Sequence, residues 1–241
     1  MSGHSRWSNI KHKKGKTDAM RAKVFTKIGR EIAVAVKSGG SDPALNSKLF
    51  EIIAKAKIAN MPNDNIDRSI KKASGELSSV NYESIIYEGY GAGGSAVIVE
   101  ALTDNKNRTA GEVRCAFEKN GGSMGTTNCV SYMFDRKGII VCERNSLTED
   151  KILEISLEAG AEDVAIEDDF FEVFTSPSEI SSVKKILEEK KLSFLSAEVE
   201  WFPQSSIEIN EEHMVKFQKM IDMLEDSDDV QNVYHNVSVE E

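Results

Sequence analysis

The sequence predicts an α+β protein: an N-terminal three-helix domain followed by two ferredoxin-like α/β domains, one inserted in the other. Three observations predict it. Apolar residues recur with a 3.6-residue period from Val24 to Ala73. Beyond the Ser78-Ser79-Val80-Asn81 linker the period falls to two, and strand-like runs alternate with amphipathic ones. Residues 130–202 read β-β-α-β-β-α-β, a ferredoxin-like unit with an extra strand pairing, and the pieces on either side would complete a second unit. The expected boundaries are 1–78 for the basic arm and helices, 79–128 plus 204–241 for a discontinuous α/β domain, and 129–203 for the inserted one.

In chain order, residues 1 to about 16 are rich in Gly, Ser, His and Lys without a sustained period, which predicts a flexible basic arm. Thr17 is a suitable N-cap for a helix reaching about Lys37. Its apolar face is Val24, Phe25, Ile28, Ile32, Ala35 and Val36. At 100° per residue, Lys16, Lys23, Lys27, Arg30 and Lys37 cluster on the opposite side. Gly39-Gly40 closes this helix, and Ser41-Asp42-Pro43 is expected to open the next, with Leu45, Leu49, Ile52, Ile53, Ala56 and Ala59 inward. Pro62 begins a third, with Ile66, Ile70 and Ala73 inward and Arg68, Lys71 and Lys72 outward, and Gly75 ends it.

Strands are then expected at Ser84–Tyr90 and Ser95–Thr103, a helix at Arg108–Lys119, and strands near Val130–Phe134 and Ile139–Cys142. A helix at Thr148–Ala159, strands at Asp163–Ile166 and Phe170–Thr175, a helix at Ser178–Lys191 and a strand at Ala197–Phe202 follow. Ile207–Ile209, a helix at Glu211–Glu225 and a strand at Val230–Val237 finish the chain.

Charge is strongly segregated. Between Met1 and Arg30 nine Lys and Arg face one acid, a local net of +8, in a chain whose total is −10. Residues 1–75 carry 16 cations and 6 acids, a net of +10, so the remaining 14 cations and 34 acids leave −20 after residue 75. A segment charged against the sign of its own protein usually faces a polyanion, and nucleic acid is the leading candidate. The residues expected to hold it are Arg6, Trp7, Lys11, His12, Lys13, Lys14 and Lys16 of the arm and Lys23, Lys27, Arg30 and Lys37 of the helix. Trp7 could instead pack on the helices. A helix face bearing only charge is often merely solvated, but this one lacks interspersed acids.

No apolar run approaches the ~18 residues of a membrane span, and the basic start lacks the apolar core of a secretory signal. Cys115, Cys129 and Cys142 are widely and irregularly spaced, which predicts reduced thiols in a cytoplasmic protein and no zinc site. Gly89-Tyr90-Gly91-Ala92-Gly93-Gly94 fits G-x-G-x-x-G, yet Ala96-Val97-Ile98-Val99 follows as a strand where a dinucleotide site needs a helix; a glycine-rich hairpin loop is expected. Lys106 and Arg108, in the run Thr103 to Thr109, offer a secondary anion site at a helix start, or plain capping with solvated cations. Gly121-Gly122-Ser123-Met124-Gly125 reads as a loop. Glu225-Asp226-Ser227-Asp228-Asp229 ends a helix and could bind a cation weakly, but reads first as a solvated turn. No nucleophile elbow, cofactor motif or metal-ligand spacing appears, so neither catalysis nor a cofactor is expected.

Several stretches together resemble the YebC family, which includes the mitochondrial translational activator of cytochrome c oxidase. They are GHSRWSNIKHKKGK, KVFTKIGREI, Gly40 to Pro43, NMPNDNIDRSIKKASG, YEGYGAGGSAVIVEALTDNKNRT, and CVSYMFDRKG after a GGSMGTT loop. Asn128 and Cys129 stand where the family is often small, and the acidic tail is variable. The resemblance spans essentially the whole chain. It implies a helical domain followed by two α/β domains and a non-enzymatic role in gene expression, as a DNA-binding transcriptional regulator or as a ribosome-associated aid to translation through proline-rich stretches. Because the resemblance begins at Gly3, a bacterial-type cytoplasmic protein is expected.

Within the nucleic-acid class, promoter DNA and ribosomal RNA compete. A body of −20 repels a long duplex laid across it, and a basic arm suits folded RNA. The other classes are a protein-interaction module whose acidic α/β body docks a basic partner, and an enzyme using the glycine loops.

Overall fold

The computed structural model describes residues 18–75 and 80–238. It begins with three helices, α1 (Asp18–Gly39), α2 (Ser47–Ile58) and α3 (Asn63–Ser74). Their apolar stripes meet in one core built on Ile28, Ile32, Ala35, Val36, Leu49, Ile52, Ala56 and Ile66. The α1 stripe starts later than its period suggests, because Val24 is 44% exposed.

The second helix also starts later than expected. Residues 43–45 form a turn, Leu45 is exposed, and Asn46 is the N-cap, its side chain accepting from the Leu49 N–H. The physical reason is tertiary. The Asn46 amide also donates to the carbonyls of Ala35 and Gly40, at 2.8 Å each, so one buried side chain caps α2 and ties off the end of α1.

From residue 80 the chain runs β1 (Glu83–Tyr90), β2 (Ala96–Thr103), α4 (Lys106–Lys119), β3 (Ser123–Met124), β4 (Phe134–Glu143), α5 (Glu149–Ala159), β5 (Asp163–Ile166), β6 (Phe170–Thr175), α6 (Ile180–Glu189), β7 (Phe194–Pro203), α7 (Glu211–Asp226) and β8 (Val230–His235). Two four-stranded antiparallel sheets result, ordered β3-β1-β2-β8 and β5-β6-β4-β7.

The second sheet lies within Phe134–Gln204, a compact unit. Its β-α-β-β-α-β order, with β4 between β6 and β7, is the split-βαβ arrangement. Ile140, Cys142, Phe171 and Val173 pack against Ile152, Ile155, Val183 and Leu187 of its two helices. Two strands were expected across residues 130–142; one is present, because Ser131–Met133 forms a 3-10 turn and pairing with β7 begins at Phe134.

The other unit joins residues 18–133 to Ser205–Ser238. Its sheet places the β1–β2 hairpin at the centre, with Tyr90 opposite Ala96 and the glycine-rich stretch folded into the tight turn between them. The core is Val97, Val99, Val113, Phe117, Phe217, Met220 and Leu224. Ile207, expected within a strand, makes a single parallel bridge to Val237. The Gly121–Gly125 run, expected as loop, contains β3. A Cβ on Gly122 would sit 2.6 Å from the Tyr90 carbonyl oxygen, and one on Gly89 would sit 2.5 Å from that of Ser123. The two glycine runs therefore pack backbone to backbone. Among the described residues, no helix is long and apolar enough to cross a membrane.

Candidate nucleic-acid interface

Arg6, Trp7, Lys11, His12, Lys13, Lys14 and Lys16 lie outside the described residues. Lys23, Lys27, Arg30 and Lys37 follow them along α1, spaced so that they rise on one side of the helix. That side is not simply bathed in water. Lys23 Nζ pairs with the Asp226 carboxylate and donates to the Asp226 carbonyl at 3.2 Å. Lys27 Nζ donates to the Glu225 carbonyl at 3.0 Å. Lys37 Nζ donates to the Val80 carbonyl and, at 2.8 Å, to Asn81 Oδ1.

Arg30 is drawn well in, its side chain 15% exposed. It pairs with Asp229, donates to the Leu102 carbonyl at 3.0 Å, and lies 5.4 Å from the Tyr82 ring centroid. Asp229, expected on a solvated turn, is instead buried, and four side chains converge on it. Arg108 Nε and Nη2 reach Oδ2 at 3.1 and 2.7 Å, and Thr109 Oγ1 and Thr103 Oγ1 reach it at 2.7 and 3.2 Å. Burial alone would raise this carboxyl's pKa. The hydrogen bonds from Arg30, Thr109 and Arg108 outweigh burial and hold it at about 2. The same contacts, with Asp104 2.7 Å away, push the Arg108 guanidinium further up from its ordinary value.

The proposed secondary anion site is thereby largely satisfied from within. Lys106 pairs with Glu83, and Arg108 with Asp104 and Asp229. The helix start itself is capped, Asn105 Oδ1 accepting from the Arg108 N–H at 3.1 Å. A cleft of about 630 Å³ opens beside this cluster, lined by Lys23, Arg30 and Arg108 together with Asp104, Glu112 and Asp226. Its walls mix both signs, so it does not concentrate anions. Exposed cations stand elsewhere on the helices, at Lys48 and Lys57 of α2 and Arg68, Lys71 and Lys72 of α3.

A second buried carboxylate was not singled out from the sequence. Glu88 accepts the backbone N–H groups of Asn128, Val130 and Ser131 at 2.8, 2.9 and 2.8 Å. Burial opposes its charge, but these three donors prevail and lower its pKa. Glu88 thus fixes the loop in which Asn128 takes a left-handed φ of 66°. An acid at an alternating strand position carries no signal that it will fold inward onto a distant loop. Asp229 likewise looks like one more acid in an acidic run.

The model of the TACO1/YebC N-terminal domain matches residues 5–76, and that of the TACO1/YebC second and third domain matches residues 82–237. A "probable transcriptional regulatory protein" of Acetivibrio thermocellus is 58% identical over 238 residues, 98% of each chain. One of the same description from Clostridium beijerinckii is 58% identical over 241 residues, covering 100% of this chain and 98% of its own. A crystal structure of a conserved hypothetical protein from Aquifex aeolicus superposes with a TM-score of 0.85 at 45% identity, covering 94% of each chain.

Proposed function

This chain belongs to the TACO1/YebC family, and from that premise we propose that it is a nucleic-acid-binding regulator of gene expression that holds phosphates with its basic N-terminal segment. The relatives are named as regulators of transcription, not as enzymes. The observation that carries the phosphate-binding part is the charge division, +8 over the first thirty residues against −20 after residue 75. Contacts of this kind position a protein on the backbone without reading sequence. The body's negative charge limits the footprint on any nucleic acid to the neighbourhood of the arm and α1.

Two targets fit. The relatives' names favour DNA. Electrostatics favours a folded RNA, including that of the ribosome, since a lysine-rich arm can enter grooves that a −20 body could not lie across. A role in carrying translation through proline-rich stretches belongs to the second target.

Replacing Lys11, Lys13, Lys14 and Lys16 with Gln tests the reading. With about six cations engaged, wild-type affinity falls by ~10³ or more between about 50 and 200 mM salt, and the quadruple variant flattens that slope by about three to four on duplex DNA. Undiminished binding with an unchanged slope refutes it. Cosedimentation with ribosomes against retention of promoter duplex, at matched salt, separates the two targets.

A further inference from the structure

Helix α7 ends badly on its own account. Its last turn carries Glu225 and Asp226 and no basic residue, so two acids sit where the helix dipole already places negative charge. What offsets this comes from α1. Lys23 binds the carboxylate and carbonyl of Asp226, and Lys27 binds the Glu225 carbonyl. One turn further on, Arg30 reaches Asp229, just past the end of α7. Three successive cations of the stripe thus meet carboxylate and carbonyl oxygens at and just past a helix end. A phosphate backbone would present the same kind of partner.

We propose that the end of α7 is an internal competitor for nucleic acid: it occupies Lys23 and Lys27 in the free protein and releases them when phosphates take its place. The proposal rests on the reading of α1 as a phosphate-binding face. The two ends of the row differ in how readily they part. The Asp226 side chain is 76% exposed and that of Lys23 is 34% exposed, so this pair is weak and screened by salt. Asp229 is 4% exposed and shared with Arg108, which keeps Arg30 fixed. Arg30 therefore acts as a pivot and Lys23 as the jaw that opens. The stripe is not fully available at rest, and part of the binding energy goes into opening the contact.

The test uses the full chain carrying Asp226→Asn, with Asp222→Asn as control. Asp222 is exposed on α7 one turn earlier, bonded to Gln218, and its substitution removes the same charge. The probes are a fluorescein-labelled RNA hairpin and a DNA duplex of the same stem. Loss of a surface ion pair of up to about 1 kcal/mol predicts that Asp226→Asn binds about two- to fivefold more tightly at moderate salt, that Asp222→Asn gains less, and that the advantage vanishes when Lys23→Gln is added. Equal gains from the two Asn variants, or a gain that survives Lys23→Gln, overturns the proposal while leaving phosphate binding intact. If neither wild type nor any variant retains either probe at low salt, phosphate binding itself fails, and the competitor role fails with it.

Discussion

Asp229→Asn is the most informative single substitution for stability. The carboxylate accepts from Arg30, Arg108, Thr103 and Thr109, and its pKa of about 2 lies below the ordinary 3.8. Holding the carboxyl that far down corresponds to about 2 kcal/mol of stability tied to the ionised form. The folded-state pKa is the lower one. The contribution is therefore complete above the unfolded-state value near 3.8 and disappears as pH falls through about 2. Asn keeps the shape and one acceptor but not the charge, so it should remove about 2 kcal/mol at neutral pH. In a chain of this size that is roughly 4–8 °C in melting temperature. Ala also leaves the Arg30 guanidinium facing a void and should cost about 3–5 kcal/mol. Urea unfolding followed by far-UV circular dichroism at stepped pH reads both numbers. The gap between wild type and Asn should close as the buffer is taken from pH 5 towards pH 2. Equal midpoints at neutral pH, or a gap independent of acid, would refute the reasoning.

Three further outcomes are expected. Glu88→Gln places an amide against three backbone donors and should cost about 1–3 kcal/mol, with the amides of Asn128, Val130 and Ser131 losing protection in hydrogen exchange. In the wild type that protection should persist to below the ordinary carboxylate pKa, since the Glu88 carboxyl is held down. Gly122→Ala drives a methyl against the Tyr90 carbonyl and should destabilise by about 1–3 kcal/mol, read as an earlier urea midpoint. Burial pushes the Cys142 thiol up to about 12, so Ellman's reagent at mildly alkaline pH should leave that thiol silent until urea unfolds the chain, while Cys115, only partly buried, reacts.

Sequence periodicity carried the elements whose shape is set locally. The run Phe170–Thr175 and the helices Glu149–Ala159 and Glu211–Asp226 follow from side-chain pattern over a few residues. Where the reading failed, the deciding partner was far along the chain. The start of α2 is set by Asn46 reaching back to Ala35, the two-residue β3 exists only because Gly89 and Tyr90 pair with it, and Val130–Met133 turns where its composition suits a strand. The basic stripe was legible as a stripe, since Lys23, Lys27, Arg30 and Lys37 obey helical spacing. Its engagement was not, because Asp226 and Asp229 lie some two hundred residues away and nothing local separates a buried acid from its exposed neighbours.

The pairing of β2 with β8 bears on how the molecule comes off the ribosome. Glu100 and its partner Asn232 are 132 positions apart, so β2 emerges long before the strand that will cover its far edge has been translated. Throughout that interval Ile98 and Val99, wholly enclosed in the finished protein, border an unpaired edge open to other nascent chains. The intervening sheet, whose ladders all close within residues 134–203, can meanwhile complete itself. Synthesis that stalls before Val230 would leave one finished sheet beside one adhesive remnant.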